Sequence, residues 1–146
     1  MDLQQTTEEK YMTPDDIEVQ TDIKKKENEA ILSSFSKHLS DNGLKEKTVK
    51  KHIDNVDFYI NYYLLYEDFV TPAKGISLLD EFFTYFFPRK AMWACESTTK
   101  ESIASLKKFY SFLRVSGLVE ETSYKRLLEE IKEEKEFWLH IYASNH

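Results

Sequence analysis

One cysteine, Cys95, stands alone in 146 residues. A single thiol cannot close an internal disulfide, so a disulfide-stapled scaffold is excluded and a reducing, cytoplasmic setting is expected. Glycine and proline number three each. All-β domains built on tight turns need more of both, so long helices joined by few turns are expected. No stretch approaches the ~20 apolar residues of a membrane span, and the start has no apolar run of signal-peptide type. Gly-rich phosphate loops and a Gly-x-Ser-x-Gly elbow are also missing. His38, His52, His140 and His146 lack ligand-like spacing. No metal site, cofactor or catalytic constellation is expected, and Cys95 reads as a buried core thiol rather than a nucleophile.

What the chain does have is ring area and charge. Ten Phe, nine Tyr and two Trp imply a well-filled core, or a core plus an apolar partner surface. The formal net charge of −6 is unevenly placed. Residues 1–22 hold seven acids and one base, which leaves 19 acids and 19 bases for the rest. The remainder is electrically mixed and lacks the strongly basic balance of a dedicated nucleic-acid binder. Residues 1–22 read as an acidic flexible tail, with a turn at Thr13-Pro14-Asp15-Asp16. A sharper reading makes that tail an arm covering a basic face.

Residues 23–146 read as one helical domain. Ile31, Leu32, Phe35 and Leu39 predict a first helix over about 24–41, closed by Gly43. Val49, Ile53, Val56, Ile60 and Leu64 predict a second over about 48–66. Phe58, Tyr59, Tyr62 and Tyr63 widen its apolar face, so it is expected to be central. A third helix starts at Ser77, with Asp80 in the capping-box position, and Pro88 ends or kinks it. A fourth spans about 98–116, opened by a Thr98–Glu101 capping box and closed by Gly117. Tyr124, Leu127, Leu128, Ile131, Trp138 and Ile141 mark a fifth over about 122–142, with Glu129 to Glu136 as an exposed charged face.

Two stretches carry a family resemblance. The first runs Phe35, Leu39, Gly43-Leu44, Thr48-Val49, Ile53; the second runs Ile103, Leu106-Lys107, Phe109-Tyr110, Phe112-Leu113, Gly117-Leu118. In register and spacing they resemble the SAM-like core-binding domain of tyrosine recombinases, over roughly residues 25–140. The resemblance implies an all-α, compact four-to-five-helix SAM-like bundle whose second and fourth helices approach DNA. The family's His-x-x-Arg motif has no counterpart, since Ala143 follows His140 by three residues. The expectation is therefore a stand-alone, non-catalytic domain, accessory to recombination or regulating it. Asp54, Asp57 and Glu101 stand near positions that are often basic in the family.

Lys45, Lys47, Lys50 and Lys51 cluster at the start of the second helix, where free N–H groups and the helix dipole favour phosphate. Lys100, Lys107, Lys108 and Arg114 lie on the fourth. These eight are the candidate DNA contacts, and a solvated lysine face is the bland reading of both clusters. Trp93, beside Arg89 and Lys90, reads as core or as an aromatic-basic contact on a nucleic-acid backbone or partner. Trp138, Ile141 and Tyr142 read as ordinary core packed on the other helices, or as the surface of an alternative function: a protein–protein interaction module, pairing with a second copy or a recombinase, with DNA binding lost.

Overall fold

Each helix begins or ends where the chain offers a backbone partner. The structure is a computed structural model, and it describes residues 12–66 and 68–143. α1 (Pro14–Asp41) starts at Thr13, whose side chain accepts from the Asp16 N–H while Asp16 accepts from the Thr13 N–H. Pro14 then occupies a first-turn position, where its missing N–H costs nothing. The Thr-Pro-Asp-Asp turn is thus a helix cap, and α1 begins ten residues before the expected start. Residues 14–22, expected in a flexible tail, are helical; residues 1–11 lie outside the described residues.

Gly43, at φ +89°, turns the chain into α2, which runs through Glu46–Asp57, a π-helical stretch Phe58–Tyr63 and a last turn Leu64–Tyr66. A 3₁₀ turn, Lys74–Ser77, leads to α3, made of Leu79–Glu81, a second π-helical stretch Phe82–Phe86 and Phe87–Lys90. Ser77 does not cap this helix; its hydroxyl reaches back 3.5 Å to the Lys74 carbonyl, inside the 3₁₀ turn. Pro88 does not end it either. Pro88 has no N–H to offer the preceding turn, and the widened π turn before it takes up the mismatch.

α4 (Glu96–Val115) begins one residue pair earlier than expected, because its capping box is Cys95 with Thr98 rather than Thr98 with Glu101. The Cys95 N–H donates to Thr98 Oγ1 at 2.9 Å, and that hydroxyl donates to the Trp93 carbonyl at 2.8 Å. Gly117, at φ +79°, closes α4, and α5 (Glu121–His140) follows. The described residues form an all-α bundle without strands.

Rings fill the interior. Phe35 of α1 meets Phe109 of α4 edge-on at 5.3 Å, Tyr59 meets Phe82 at 4.8 Å, and Phe83 meets Trp138 at 4.9 Å. Such pairs add to the area they bury. Three core tyrosines also tie down the irregular segment between α2 and α3. Tyr110, Tyr59 and Tyr63 donate to the carbonyls of Pro72, Gly75 and Leu78 at 2.8, 2.6 and 3.3 Å. A buried loop needs its carbonyls satisfied, and these hydroxyls do it. Burial holds the Tyr59 and Tyr110 phenols well above their ordinary pKa.

Candidate nucleic-acid interface

α4 packs on α2 on one side and on α5 on the other. The α2–α4 seam is polar at its rim. Ser105 donates to the Glu101 carbonyl at 3.0 Å and accepts from Asn55 Nδ2 at 3.0 Å. Its proton being used, the 2.7 Å contact with His52 Nδ1 requires that nitrogen to be the donor. Lys51 crosses the same seam to Glu101 at 2.7 Å. His52 sits between Lys51 and Lys108: burial, then repulsion from Lys108 and Lys51, lowers its pKa. One lysine from each expected cluster, Lys51 and Lys108, is thus near His52.

The larger basic feature lies on the far side of α4. A groove of about 630 Å³ between α4 and α5 has an apolar floor that includes Ile103, Ala104 and Ile131. Its rim carries Lys100, Lys107, Lys108, Lys132 and Lys135, and no acid lines it. Among the described residues Lys107, Lys108, Lys132 and Lys135 have no ion pair, and Lys100 has a long one to Glu96 at 3.5 Å. Five like charges around one cleft raise each other's cost, which an anionic ligand relieves.

The other expected contacts are distributed differently. Lys50 pairs with Asp54 at 2.8 Å, within its own helix. Arg114 is held by Glu121 at 3.4 Å and lies over the Tyr124 ring at 4.5 Å, so it braces the α4–α5 turn. Lys45 is the N-cap residue of α2, and Lys47 is exposed one turn before Lys51. Lys132 and Lys135 escaped the sequence reading, being absorbed into the charged face of the last helix. Their signal was present: Lys132 follows Leu128 by four residues and Lys135 follows Ile131 by four, so both lie beside that stripe. Glu129 and Glu133, with Glu130, Glu134, Asp80 and one base, Arg126, line a separate cleft on α5.

Three other expectations are corrected. Trp138 offers nothing to a partner: it is fully buried, and its indole N–H donates to Asp80 at 2.8 Å. Ile141 and Tyr142 are only half-buried beyond the end of α5, and Phe137 is the exposed ring of that helix. Trp93 is not core; it is half-exposed and meets Phe58 edge-on at 5.0 Å. Cys95 is exposed rather than buried, because the cap it forms places it on the surface.

No helix is long and apolar enough to cross a membrane, and no group of three or more potential metal ligands occurs, in both cases among the described residues. Comparison with protein-family models, with curated proteins and with solved structures returns no match.

Proposed function

We propose that this chain is a non-catalytic DNA-binding module that holds the phosphate backbone along the α4–α5 groove, with Lys47 and Lys51 of α2 as further contacts. The observation that carries this reading is the acid-free rim of five lysines, four of them without an ion pair among the described residues. Lysines of this kind bind phosphate by charge and counterion release, without reading sequence. The resemblance to recombinase core-binding domains adds a context, an accessory or regulatory part in recombination. It also adds the placement of the fourth helix against DNA.

The test is fluorescence anisotropy with a random-sequence duplex, titrated at several salt concentrations. Four to five phosphate contacts give a log–log salt slope of roughly −4. Lys107→Glu with Lys132→Glu weakens binding at least tenfold, whereas Lys50→Glu, in a helix-internal pair, has a small effect. Absence of binding at low salt, or equal binding by the groove variant, overturns the reading.

A further inference from the structure

The lysine groove has a counterpart of opposite charge in the same chain. Residues 1–22 account for the whole net charge of −6, and four of their acids, Asp15, Asp16, Glu18 and Asp22, lie in the first turns of α1. All four are exposed and have no ion pair among the described residues. Asp16 is taken up by the cap with Thr13. Helical spacing gathers the other three on one face. Asp15, Glu18 and Asp22 follow one another at three and four residues, and Val19 and Ile23, four residues apart, form the adjoining row. Val19 is 58% exposed and Ile23 47%. No residue of α1 before Asn28 is buried, so this acidic and apolar face is uncovered.

The groove between α4 and α5 complements that face in three respects. Its rim is basic and free of acids, and four of its five lysines have no ion pair among the described residues. Its floor is apolar, through Ile103, Leu128 and Ile131. Phosphate engages only the lysines, whereas a helix with an apolar row between charges covers rim and floor together, the usual way a helix lies in a groove. The lengths also agree. Lys100 to Lys107 along α4 and Asp15 to Asp22 along α1 are each a rise of seven residues, about 10 Å at 1.5 Å per residue.

We infer that the lysine groove takes the first turns of α1 from a second copy of this chain. Val19 and Ile23 lie on the apolar floor, and Asp15, Glu18 and Asp22 meet the lysine rim. Within one protomer α1 is a single unbroken helix from Pro14 to Asp41, and none of these acids pairs with a groove lysine. The contact therefore forms between copies. Its two surfaces differ, so it is heterologous. It shares the groove with the DNA reading but not the ligand. A second copy and a phosphate backbone compete for the same lysines, and self-association keeps the groove covered until phosphate displaces the acids.

Sedimentation velocity on the full chain, from about 1 to 200 µM at low and high salt, tests it, because self-association depends on protomer concentration and ion pairs on screening. Self-association is expected at low salt and is expected to weaken about tenfold or more by roughly 0.5 M salt. Two variants reverse the charge on opposite sides of the contact: Glu18→Lys with Asp22→Lys on α1, and Lys107→Glu with Lys132→Glu in the groove. All four positions are exposed, and circular dichroism verifies that each variant keeps its helix content. Each variant alone is expected to raise the dissociation constant about tenfold or more. The chain carrying all four changes sets the reversed charges opposite each other again and regains the wild-type constant within about threefold. A wild-type chain that stays monomeric at low salt overturns the inference. So does self-association that either variant leaves unchanged, or a four-change chain no tighter than the two variants. Duplex DNA that binds without dispersing the assembly overturns it too, since the two ligands would then lie on different surfaces. A chain that assembles as described yet binds no duplex upholds the inference and overturns the DNA reading alone.

Discussion

Asn28 and Asn61 meet side chain to side chain at 2.8 Å, where α1 crosses the π-helical stretch of α2. Asn28 is the donor and also reaches toward the Ile60 carbonyl at 3.4 Å, while Asn61 donates onward to Asp57 at 2.6 Å. A π turn shifts its hydrogen bonds by one residue, and a buried amide from a neighbouring helix supplies the polar partner that the shift calls for. Asn28→Leu leaves Asn61 Oδ1 without its donor. The expected loss is about 1–3 kcal/mol in guanidinium unfolding, with an unchanged denaturant slope.

Gly75 is fixed by close approach rather than by a left-handed backbone. A Cβ there would stand 2.5 Å from Leu64 Cδ1 and 3.1 Å from Tyr110 Oη. Gly75→Ala is therefore expected to cost about 1–3 kcal/mol as overpacking. Combined with Leu64→Ala, which opens the same space, it costs less than the two singly measured losses together. A double-mutant cycle by thermal or chemical unfolding reads this coupling.

If the chain binds DNA as proposed, His52 is expected to make folding and binding depend on pH in opposite directions. Its folded pKa is lowered, chiefly by burial and then by Lys108 and Lys51. Below about 6.5 the unfolded chain takes up a proton that the folded chain does not. The His52 contribution is fully present above that pH and declines as pH falls toward the folded value. Phosphate set against Lys51 and Lys108 would instead favour the imidazolium, so DNA affinity is expected to rise over the same fall in pH. His52→Gln removes both slopes. Imidazole titration by NMR, with and without duplex, checks the sign: DNA should move the His52 pKa upward.

Cys95 is exposed, and hydrogen bonds with Ser97 and Thr98 bring its thiol down to about 7. Thiolate is the reactive form. Alkylation by iodoacetamide is thus expected to rise through a midpoint near that pH, well below an ordinary cysteine. Ser97→Ala should move the midpoint upward while leaving the Cys95–Thr98 cap and the helix content unchanged. A midpoint unaffected by Ser97→Ala would remove the hydroxyl as its cause.

Helix number and core stripes were legible because both rest on periodicity. Gly43 and Gly117 stop their helices where expected, since each takes a positive φ that other residues avoid. The start of α1 was not legible, because Thr13-Pro14-Asp15-Asp16 satisfies turn chemistry and capping chemistry alike until the backbone is seen. Neither π stretch was legible: widening a turn depends on what packs around it, as with Asn28 from another helix. The two tryptophans differ for a related reason: Trp138 is core, as its place on the helical stripe implies, whereas Trp93 is half-exposed. Trp138 follows Ile131 by seven residues and so stays on the buried stripe, where Asp80, 58 residues away, receives its N–H. Trp93 lies in the short link before α4, where no helical period governs it. The lysine groove was half legible. Each helix displays its lysines in sequence, but only packing brings Lys107 and Lys108 together with Lys132 and Lys135.

The balance of 19 acids and 19 bases beyond residue 22 conceals a separation, with Lys132 and Lys135 on one flank of α5 and Glu129, Glu130, Glu133 and Glu134 on the other. A neutral body with separated charge has a dipole moment, and in the field of a polyanion a dipole feels torque before it feels net attraction. If the chain binds DNA as proposed, the lysine flank is expected to turn inward and the glutamate flank outward during the approach. The chain as a whole, at a net −6, would be repelled by a polyanion at long range, so under the proposed reading the orientation of this one helix decides whether the lysine flank is the side that arrives.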